Sequence, residues 1–327
     1  MGNIHFLNVN NGDCILIQHN SGRNTVIDIC NGNSLVDKEK VASGPVEFNE
    51  CIIRGNFNQK NHPTNPIEYF REHNVKDIFR FILTHPDMDH MDGIENLFKS
   101  FDVINFWDTD NRKQSDGNFG PFKKSDWDFY QSIRINGQGR TVLRIKAGAK
   151  GIYYNQDDMN GTGDGIYILS PTDELIALAN QSGDYNKISL VLLWVMSNGR
   201  KVVFAGDSGE VVWGSIIEKY SCWLSNIDVL IAPHHGRKTG GNDNYLDVLK
   251  PKLTLFGNAN SEHLDYDSFN RRKLCHITNN QAGNVMISES GKDLDVYVSN
   301  ENFALTFGER DITLDLECEG YYHILTI

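Results

Sequence analysis

The feature that most constrains this chain is a short segment in which a predicted strand ends directly in a cluster of metal-ligand side chains. Apolar residues from Ile78 to Leu83 predict a buried strand, and Pro86 prevents it from continuing. Four potential ligands then fall within six residues, namely His85, Asp87, Asp89 and His90. Without a cation, so many carboxylates and imidazoles would repel one another or stay partly protonated. The segment therefore predicts a divalent metal site in a loop at the carboxyl end of a strand.

The same arrangement, an apolar strand followed by polar or ligand-type residues, recurs later in the chain. Lys201–Ala205 is followed by Asp207, and a second apolar run is followed by His234 and His235. These repeats disfavour the alternative that residues 84–92 are only an acidic solvated loop. The predicted metal ligands are His85, Asp87, Asp89, His90, Asp207, His234 and His235. Seven ligands exceed one tetrahedral sphere, and two ions bridged by Asp207 and a water would use them.

Composition limits the possible partners and compartment of the protein. The formal charge of the 327 residues is −12, from 43 acidic and 31 basic side chains, which disfavours tight wrapping of long duplex nucleic acid. No apolar run is long enough for a membrane span, and no signal peptide is recognisable at the N-terminus. The six cysteines are scattered without CxxC pairs, which is typical of reduced thiols. These features predict a cytoplasmic protein without a membrane partner.

The remaining pattern predicts one α/β domain over 1–327, with insertions around 33–66 and 102–165 and a short β-rich extension over 284–327. Near the N-terminus, Asp13 and Asp28 fall at a turn and a strand end of an antiparallel meander. Each is either a capping residue or a carboxylate that orients a metal-bound histidine. Range 102–165 mixes aromatic and basic residues. It is either a lid with stacking platforms for the substrate or, as we favour, a helical insertion packed on the sheet.

Five motifs of this chain resemble those of the metallo-β-lactamase superfamily, and most closely those of the ComEC-like hydrolase domain and its soluble relatives. The motifs are Val9–Asp13, Thr84–Gly93, Asn186–Val191, Gly206–Asp207 and Pro233–Lys238. The resemblance covers roughly residues 4–290, less the insertions. It implies an αββα sandwich of two mixed sheets faced by helices.

The resemblance also implies how the ligands are shared between two divalent ions, Zn²⁺ or Mn²⁺. His85 and Asp87 would hold one ion, Asp89 and His90 the other, and Asp207 would bridge them. The pair at 234 and 235 would add a ligand, and the sequence leaves open which ring binds. Asp87 replaces the histidine of many relatives, which favours harder ions such as Mn²⁺. The third ligand of the first ion is left open in the region of Asp184 and Asn186.

The expected activity is metal-dependent hydrolysis, most specifically by a phosphodiesterase or nuclease acting through a hydroxide that bridges the two ions. The substrate would be a phosphodiester or a nucleotide-type molecule, with single-stranded nucleic acid as one option, held with the help of Arg237 and Lys238. A lactone or thioester hydrolase of the same fold and a non-catalytic ligand-binding module are the alternatives. The residues predicted to act in catalysis are Asp89, Asp207, Lys238 and His263.

Overall fold

The computed structural model describes residues 1–34, 55–156, 163–307, 314–315 and 320–327, and this part of the chain contains sixteen strands and nine α-helices. The strands are β1 (Asn3–Phe6), β2 (Ile15–Gln18), β3 (Asn24–Ile27), β4 (Asp77–Ile82), β5 (Asp102–Asp108), β6 (Thr141–Arg144), β7 (Ile166–Ser170), β8 (Val191–Val195), β9 (Lys201–Phe204), β10 (Val229–Ile231), β11 (Leu253–Phe256), β12 (His276–Thr278), β13 (Val285–Ser290), β14 (Asp293–Val298), β15 (Leu314–Asp315) and β16 (Tyr321–Thr326). The helices are α1 (Pro66–Glu72), α2 (Ile94–Ser100), α3 (Lys124–Asn136), α4 (Asp173–Ser182), α5 (Glu210–Tyr220), α6 (Tyr245–Leu249), α7 (Tyr266–Arg271), α8 (Asn279–Ala282) and α9 (Glu301–Phe307).

The strands form two mixed sheets. The first has ten strands in the order β15-β16-β14-β13-β1-β2-β3-β4-β5-β6, and the second has six in the order β12-β11-β10-β9-β8-β7. The four strands β3, β4, β5 and β6 run parallel to one another, and so do β9, β10, β11 and β12. All other neighbouring strands in the two sheets are antiparallel. Parallel strands need crossover connections, which places α1, α2 and α3 beside the first sheet.

Three apolar layers hold these elements together. One fills the space between the sheets, with Ile4 and Phe6 of β1 and Leu192 and Phe204 of the second sheet. A second layer packs α1, α2 and α3 on the outer face of the first sheet. A third layer packs the four helices α4, α5, α6 and α7 on the second sheet. Since helices cover both outer faces, the predicted αββα sandwich of two mixed sheets is confirmed.

Range 102–165 contributes more to the sheet than the sequence predicts. Besides helix α3 it supplies β5 and β6, which extend the first sheet beyond β4. Polar residues at 102, 105 and 108 interrupt the apolar pattern of β5 and hide it in the sequence. Trp127 and Tyr130 of α3 are buried against this sheet, as the packing alternative predicts, rather than exposed as stacking platforms.

The predicted C-terminal extension and the predicted insertion after β3 differ in how much of them the structure describes. The predicted extension over 284–327 includes β13 and β14, and β13 pairs with β1 inside the first sheet. Most of the predicted insertion over 33–66 lies outside the described residues, and the single-domain assignment stays a prediction.

Cys14 and Cys30 are free, buried thiols, whereas Cys51 and Cys318 lie outside the described residues. Within the described ranges, no helix has the length and apolar character needed to cross a membrane.

The carboxyl ends of the two parallel segments meet along one edge of the sandwich. Leu190 N, just before β8, donates a hydrogen bond to Thr84 O, just after β4, at 2.9 Å. His234 N, after β10, donates to Gly206 O, after β9, also at 2.9 Å. This edge therefore brings together segments that are more than a hundred residues apart in the chain.

Candidate metal centre

The loop after β4 is held by backbone contacts that tolerate no side chain. A Cβ atom on Gly12 would lie 1.9 Å from Asp89 O, and one on Gly93 would lie 2.5 Å from Gly32 Cα. Gly93 also has φ of 96°, a conformation that other residues adopt only with strain. These close approaches fix the loop from Thr84 to Gly93 against the turns that follow β1 and β3.

Asp207 lies at the centre of the cluster, and its two carboxylate oxygens face different pairs of imidazoles. Oδ1 is 3.3 Å from His90 Nε2 and 3.5 Å from His235 Nε2. Oδ2 is 3.9 Å from His85 Nε2 and 3.7 Å from His234 Nε2. The carboxylate therefore stands between two pairs of imidazole nitrogens, an arrangement compatible with a bridging ligand.

Two overlapping groups of side chains have the spacing of a metal site, with ligand atoms within 4.8 Å of one another. One group consists of His85, His90 and Asp207, and the other of Asp89, His90 and His235. Several of these atoms are buried and have no hydrogen-bond partner among the described residues: Nε2 of His85, His90 and His235, and Oδ1 of Asp207. Unpartnered buried polar atoms are costly, and a divalent cation is the partner that this donor set fits.

Carboxylates behind two of the imidazoles fix their orientation. His90 Nδ1 is 2.7 Å from Asp28 Oδ2, and Asp28 also accepts hydrogen bonds from Thr84 N at 2.7 Å and Thr84 Oγ1 at 2.6 Å. His235 Nδ1 lies 3.0 Å from Asp13 Oδ1. The Nδ1 atom of His90 is engaged by this hydrogen bond, whereas that of His235 faces the Asp13 carboxylate without the alignment of a hydrogen bond. Both rings present Nε2 to Asp207. Of the two readings that the sequence leaves open for Asp13 and Asp28, these contacts match the orienting one.

An unusual turn presents His234 and His235 together. Both have left-handed backbone conformations, with φ of 52° and 58°, and Gly236 continues the turn with φ of 86°. Such angles are strained for residues with a side chain, and non-glycine strain of this kind concentrates at functional sites. At Gly236 a Cβ would lie 2.5 Å from Phe256 Cγ, so this position requires glycine. The turn directs the Nε2 atoms of both rings to Asp207, one on each oxygen.

The carboxylates of the cluster favour positive charge on two of its imidazoles. Burial opposes protonation of His90, but Asp207, Asp28 and Asp89 outweigh it and raise the pKa of His90 well above its usual value. Burial is likewise outweighed at His235, where Asp13 and Asp207 raise the pKa to about 10. The nearby imidazoles hold the pKa of Asp207 well below its usual range, against the effect of burial. Protons and metal ions would compete for these nitrogens.

Asp87 lies at the border of the cluster and in neither group of close ligands. Its Oδ2 is 3.8 Å from His85 Nε2, but its Oδ1 contacts Lys113 Nζ at 2.5 Å. The neighbouring candidate Asp184 also lies outside both groups, and Asn186 lines the adjoining cleft. Besides His85 Nε2, the imidazole nitrogen that faces Oδ2 of Asp207 is Nε2 of His234.

A cleft of about 350 Å³ adjoins the cluster at Asp207 and His234. Lys187 and Lys238 line it, as do Asp184 and residues 209–212 at the start of α5. Gly209 caps α5 without a side-chain hydrogen bond, so the positive end of this helix borders the cleft. Lys187 contacts Asp184, and Lys238 is more than half exposed.

Two residues predicted to assist the substrate lie farther from the ligands. The His263 side chain is 57% exposed and its ion-pair contact is with Glu262, although its backbone oxygen accepts from Lys238 N at 2.9 Å. Arg237 is half-buried and does not line the cleft. The structure therefore places Lys238, but neither of these two side chains, at the cleft.

Sequence reasoning missed three residues that support the cluster. Thr84 binds both oxygens of Asp28, and Ser189 Oγ accepts a hydrogen bond from Asp207 N at 3.1 Å. Both lie inside motifs already singled out, next to a ligand or in the segment Asn186–Val191, so their position was an available signal. Lys113 carried no such signal, because its contact with Asp87 spans 26 residues and depends on the course of the chain after β5.

Comparisons with known proteins give distant structural neighbours. No protein-family profile matches the sequence. No curated protein sequence matches it either. Among solved structures, a mutant of CmlA β-hydroxylase aligns with a TM-score of 0.46 and 10% identity over 88% of this chain, and the chain spans only 54% of that protein.

Two further neighbours are matched over most of their length. The Rm3 metallo-β-lactamase aligns with a TM-score of 0.38 and 11% identity, over 75% of this chain and 81% of its own. A diphosphatase from the PhnP family aligns with a TM-score of 0.39 and 10% identity, over 83% of this chain and 91% of its own. The structural neighbours thus include metallo-β-lactamase superfamily members, and at such low similarity they assign no activity to this chain.

Proposed function

We propose that this chain is a metal-dependent hydrolase that binds two divalent ions, Zn²⁺ or Mn²⁺, and cleaves phosphodiesters. The observation that carries the proposal is Asp207, whose two oxygens each face two imidazole nitrogens in a buried cluster. A structural carboxylate would instead have its own hydrogen-bond donors, and Oδ1 of Asp207 has none among the described residues. The closer likeness to the ComEC-like branch remains a prediction.

The side chains divide into two candidate ligand sets that share Asp207. His85, His234 and Asp87 would hold one ion together with Oδ2, and Asp89, His90 and His235 would hold the other together with Oδ1. When bound, such ions supply a water of lowered pKa and positive charge opposite the reacting oxygens. A hydrogen bond to Asp28 fixes the ring of His90, and the Asp13 carboxylate lies beside the ring of His235, so the ligand atoms are in place before an ion arrives.

The cleft favours a small anionic substrate. Asp87, Asp89 and Asp207 bring three negative charges to two dications, which leaves a net positive centre. The Lys238 side chain borders the same cleft and would bind phosphate oxygens, whereas the Glu210 carboxylate in the first turn of α5 offsets the positive end of that helix. The formal charge of −12 disfavours long duplexes, so a nucleotide or a short single strand is the proposed substrate.

The decisive experiment is metal reconstitution followed by turnover of contrasting substrates. Protein purified without chelator should contain close to two divalent ions per chain by elemental analysis. It should hydrolyse bis-nitrophenyl phosphate, lose this activity on dialysis against chelator and regain it with Mn²⁺ or Zn²⁺. Hydrolysis of thioesters or lactones but of no phosphodiester would transfer the assignment to acyl hydrolysis. Bound metal with no turnover of any ester would indicate a ligand-binding module.

Reversing one charge at the cleft tests the anionic substrate. Lys238→Glu is expected to raise KM for a nucleotide phosphodiester about tenfold and to weaken its dependence on salt, because a phosphate-facing ammonium becomes a carboxylate. Lys76→Glu is the matched control, since it makes the same charge change on an exposed residue just before β4, at the end of that strand opposite the ligand loop. Equal KM values for parent, control and Lys238→Glu would contradict a substrate role for Lys238.

A further inference from the structure

Lys113 is held in place by buried contacts, unlike a typical surface lysine. It follows β5 and donates its backbone N–H to Asn111 Oδ1 at 3.2 Å. Asn111 is buried, and its Nδ2 donates to Tyr130 OH at 2.9 Å while its O accepts from Arg134 Nη2 at 2.9 Å. The backbone at Lys113 is therefore anchored to helix α3.

The ammonium of Lys113 is placed against one of the candidate metal ligands. Nζ lies 2.5 Å from Asp87 Oδ1 and 5.6 Å from the centre of the Tyr185 ring, and only a quarter of the side chain is exposed. The Asp87 side chain is 36% exposed, so the pair is only partly shielded from water, but the aromatic face beside the ammonium and the anchored backbone of Lys113 favour it over a fully exposed surface pair. One oxygen of Asp87 is thus occupied, which leaves Oδ2 on the side of His85.

Charge balance shows what this lysine does to the cluster. The carboxylates without a positioning role are Asp87, Asp89 and Asp207, which together carry three negative charges. One divalent ion plus Lys113 supplies three positive charges and balances them. A second divalent ion must enter beside a fixed ammonium and share Asp87 with it, at a Coulombic cost.

We propose that Lys113 stands in for a cation at Asp87, so that the two ions bind in unequal steps. This inference rests on the proposed metal centre. The tighter ion binds between Asp89, His90, His235 and Oδ1 of Asp207. The weaker ion binds on the side of His85 and Asp87, where Lys113 is the competing charge.

Calorimetric titration of the metal-free chain with Mn²⁺ or Zn²⁺ tests the proposal without reference to activity. The parent is expected to show two steps with dissociation constants at least about tenfold apart. Lys113→Met keeps an unbranched side chain that is one atom shorter and removes the charge. It should tighten the weaker step about tenfold and leave the tighter step within about threefold. Lys187→Met is the matched control, since this lysine borders the adjoining cleft but contacts Asp184 rather than a member of the two proposed ligand sets.

The possible failures are distinguishable. If the parent binds no divalent ion, the proposed metal centre itself is wrong. If the parent binds two ions but Lys113→Met leaves both steps unchanged, or weakens the second step because Asp87 has lost its anchor, the assignment of Lys113 is overturned. A change of the same size in Lys187→Met would show only a general effect of surface charge and would also overturn it.

Discussion

Replacing Asp207 by asparagine is expected to lower kcat/KM for bis-nitrophenyl phosphate by about a thousandfold, a loss of about 4 kcal/mol of transition-state stabilisation. Asparagine keeps the shape of the side chain but not its charge. One of its two positions becomes an amide nitrogen, which cannot ligate an ion, so one pair of imidazoles loses its shared carboxylate oxygen. Steady-state kinetics with added Mn²⁺ or Zn²⁺ and metal analysis of the same preparations measure the effect.

The metal-free Asp207→Asn protein should remain folded, with an unfolding midpoint below that of the parent. The imidazoles of His235 and His90 hold the pKa of Asp207 well below its usual range, so the ionised carboxylate stabilises the metal-free fold at neutral pH. The loss of its repulsion of Asp89 offsets only part of this effect. Residual activity within about tenfold of the parent would contradict the bridging role. So would a variant that still binds two ions with parental affinity.

Asp228→Asn provides a control that is expected to lower stability without lowering catalysis. Asp228 is as buried as Asp207, each being 5% exposed, but it precedes β10 at the end of the sheet far from the ligands. It accepts hydrogen bonds from Arg200 Nη1 at 2.8 Å and from Lys201 N at 2.8 Å. Its replacement should therefore cost about 1–3 kcal/mol of stability and leave kcat unchanged below the unfolding transition. Together the two variants separate catalysis from folding.

The parts of the site that were predictable from the sequence are those in which local chemistry and a strand end coincide. Four ligand-type residues directly after the predicted strand, which ends at Leu83, predict a metal site regardless of how the rest of the chain folds. The αββα architecture was implied by resemblance, and the two sheets confirm it. The central position of Asp207 followed from the motif order, and its contacts with both imidazole pairs support that prediction.

What sequence reasoning could not supply depends on contacts between distant segments. Whether Asp28 is a strand-end cap or a partner of His90 depends on the parallel pairing of β3 with β4, which places the two side by side. The pair at 234 and 235 was ambiguous because two adjacent rings ordinarily point in different directions. Only the left-handed backbone at both residues directs both rings to one carboxylate. Strain of this kind leaves no trace in composition or periodicity.

The largest expected effect on stability lies at the opposite end of the sandwich, where Arg80 and Asp164 form a buried ion pair. Nη2 of Arg80 is 2.7 Å from Oδ2, and both side chains are only 1% exposed. Arg23 and Ser21 also donate to this carboxylate, at 2.6 Å and 2.7 Å. Asp164→Asn would leave the Arg80 guanidinium buried without a counter-charge, which typically costs about 3–5 kcal/mol. Urea unfolding at neutral pH should therefore show a large fall in the free energy of unfolding.

The exposed pair of Lys124 and Asp128 is the matched control, and Asp128→Asn should cost less than about 1 kcal/mol. Acid titration adds a second test. Burial opposes the ionised form of Asp164, but the hydrogen bonds and charges of Arg23, His19 and Arg80 lower its pKa from 3.8 to about 2. A lowered pKa in the folded state means that the carboxylate stabilises the fold above about pH 4, and that this stability is lost as the pH falls toward 2. The difference in unfolding free energy between parent and Asp164→Asn should narrow across that interval, whereas a constant difference would show that the ionised carboxylate does not stabilise the fold.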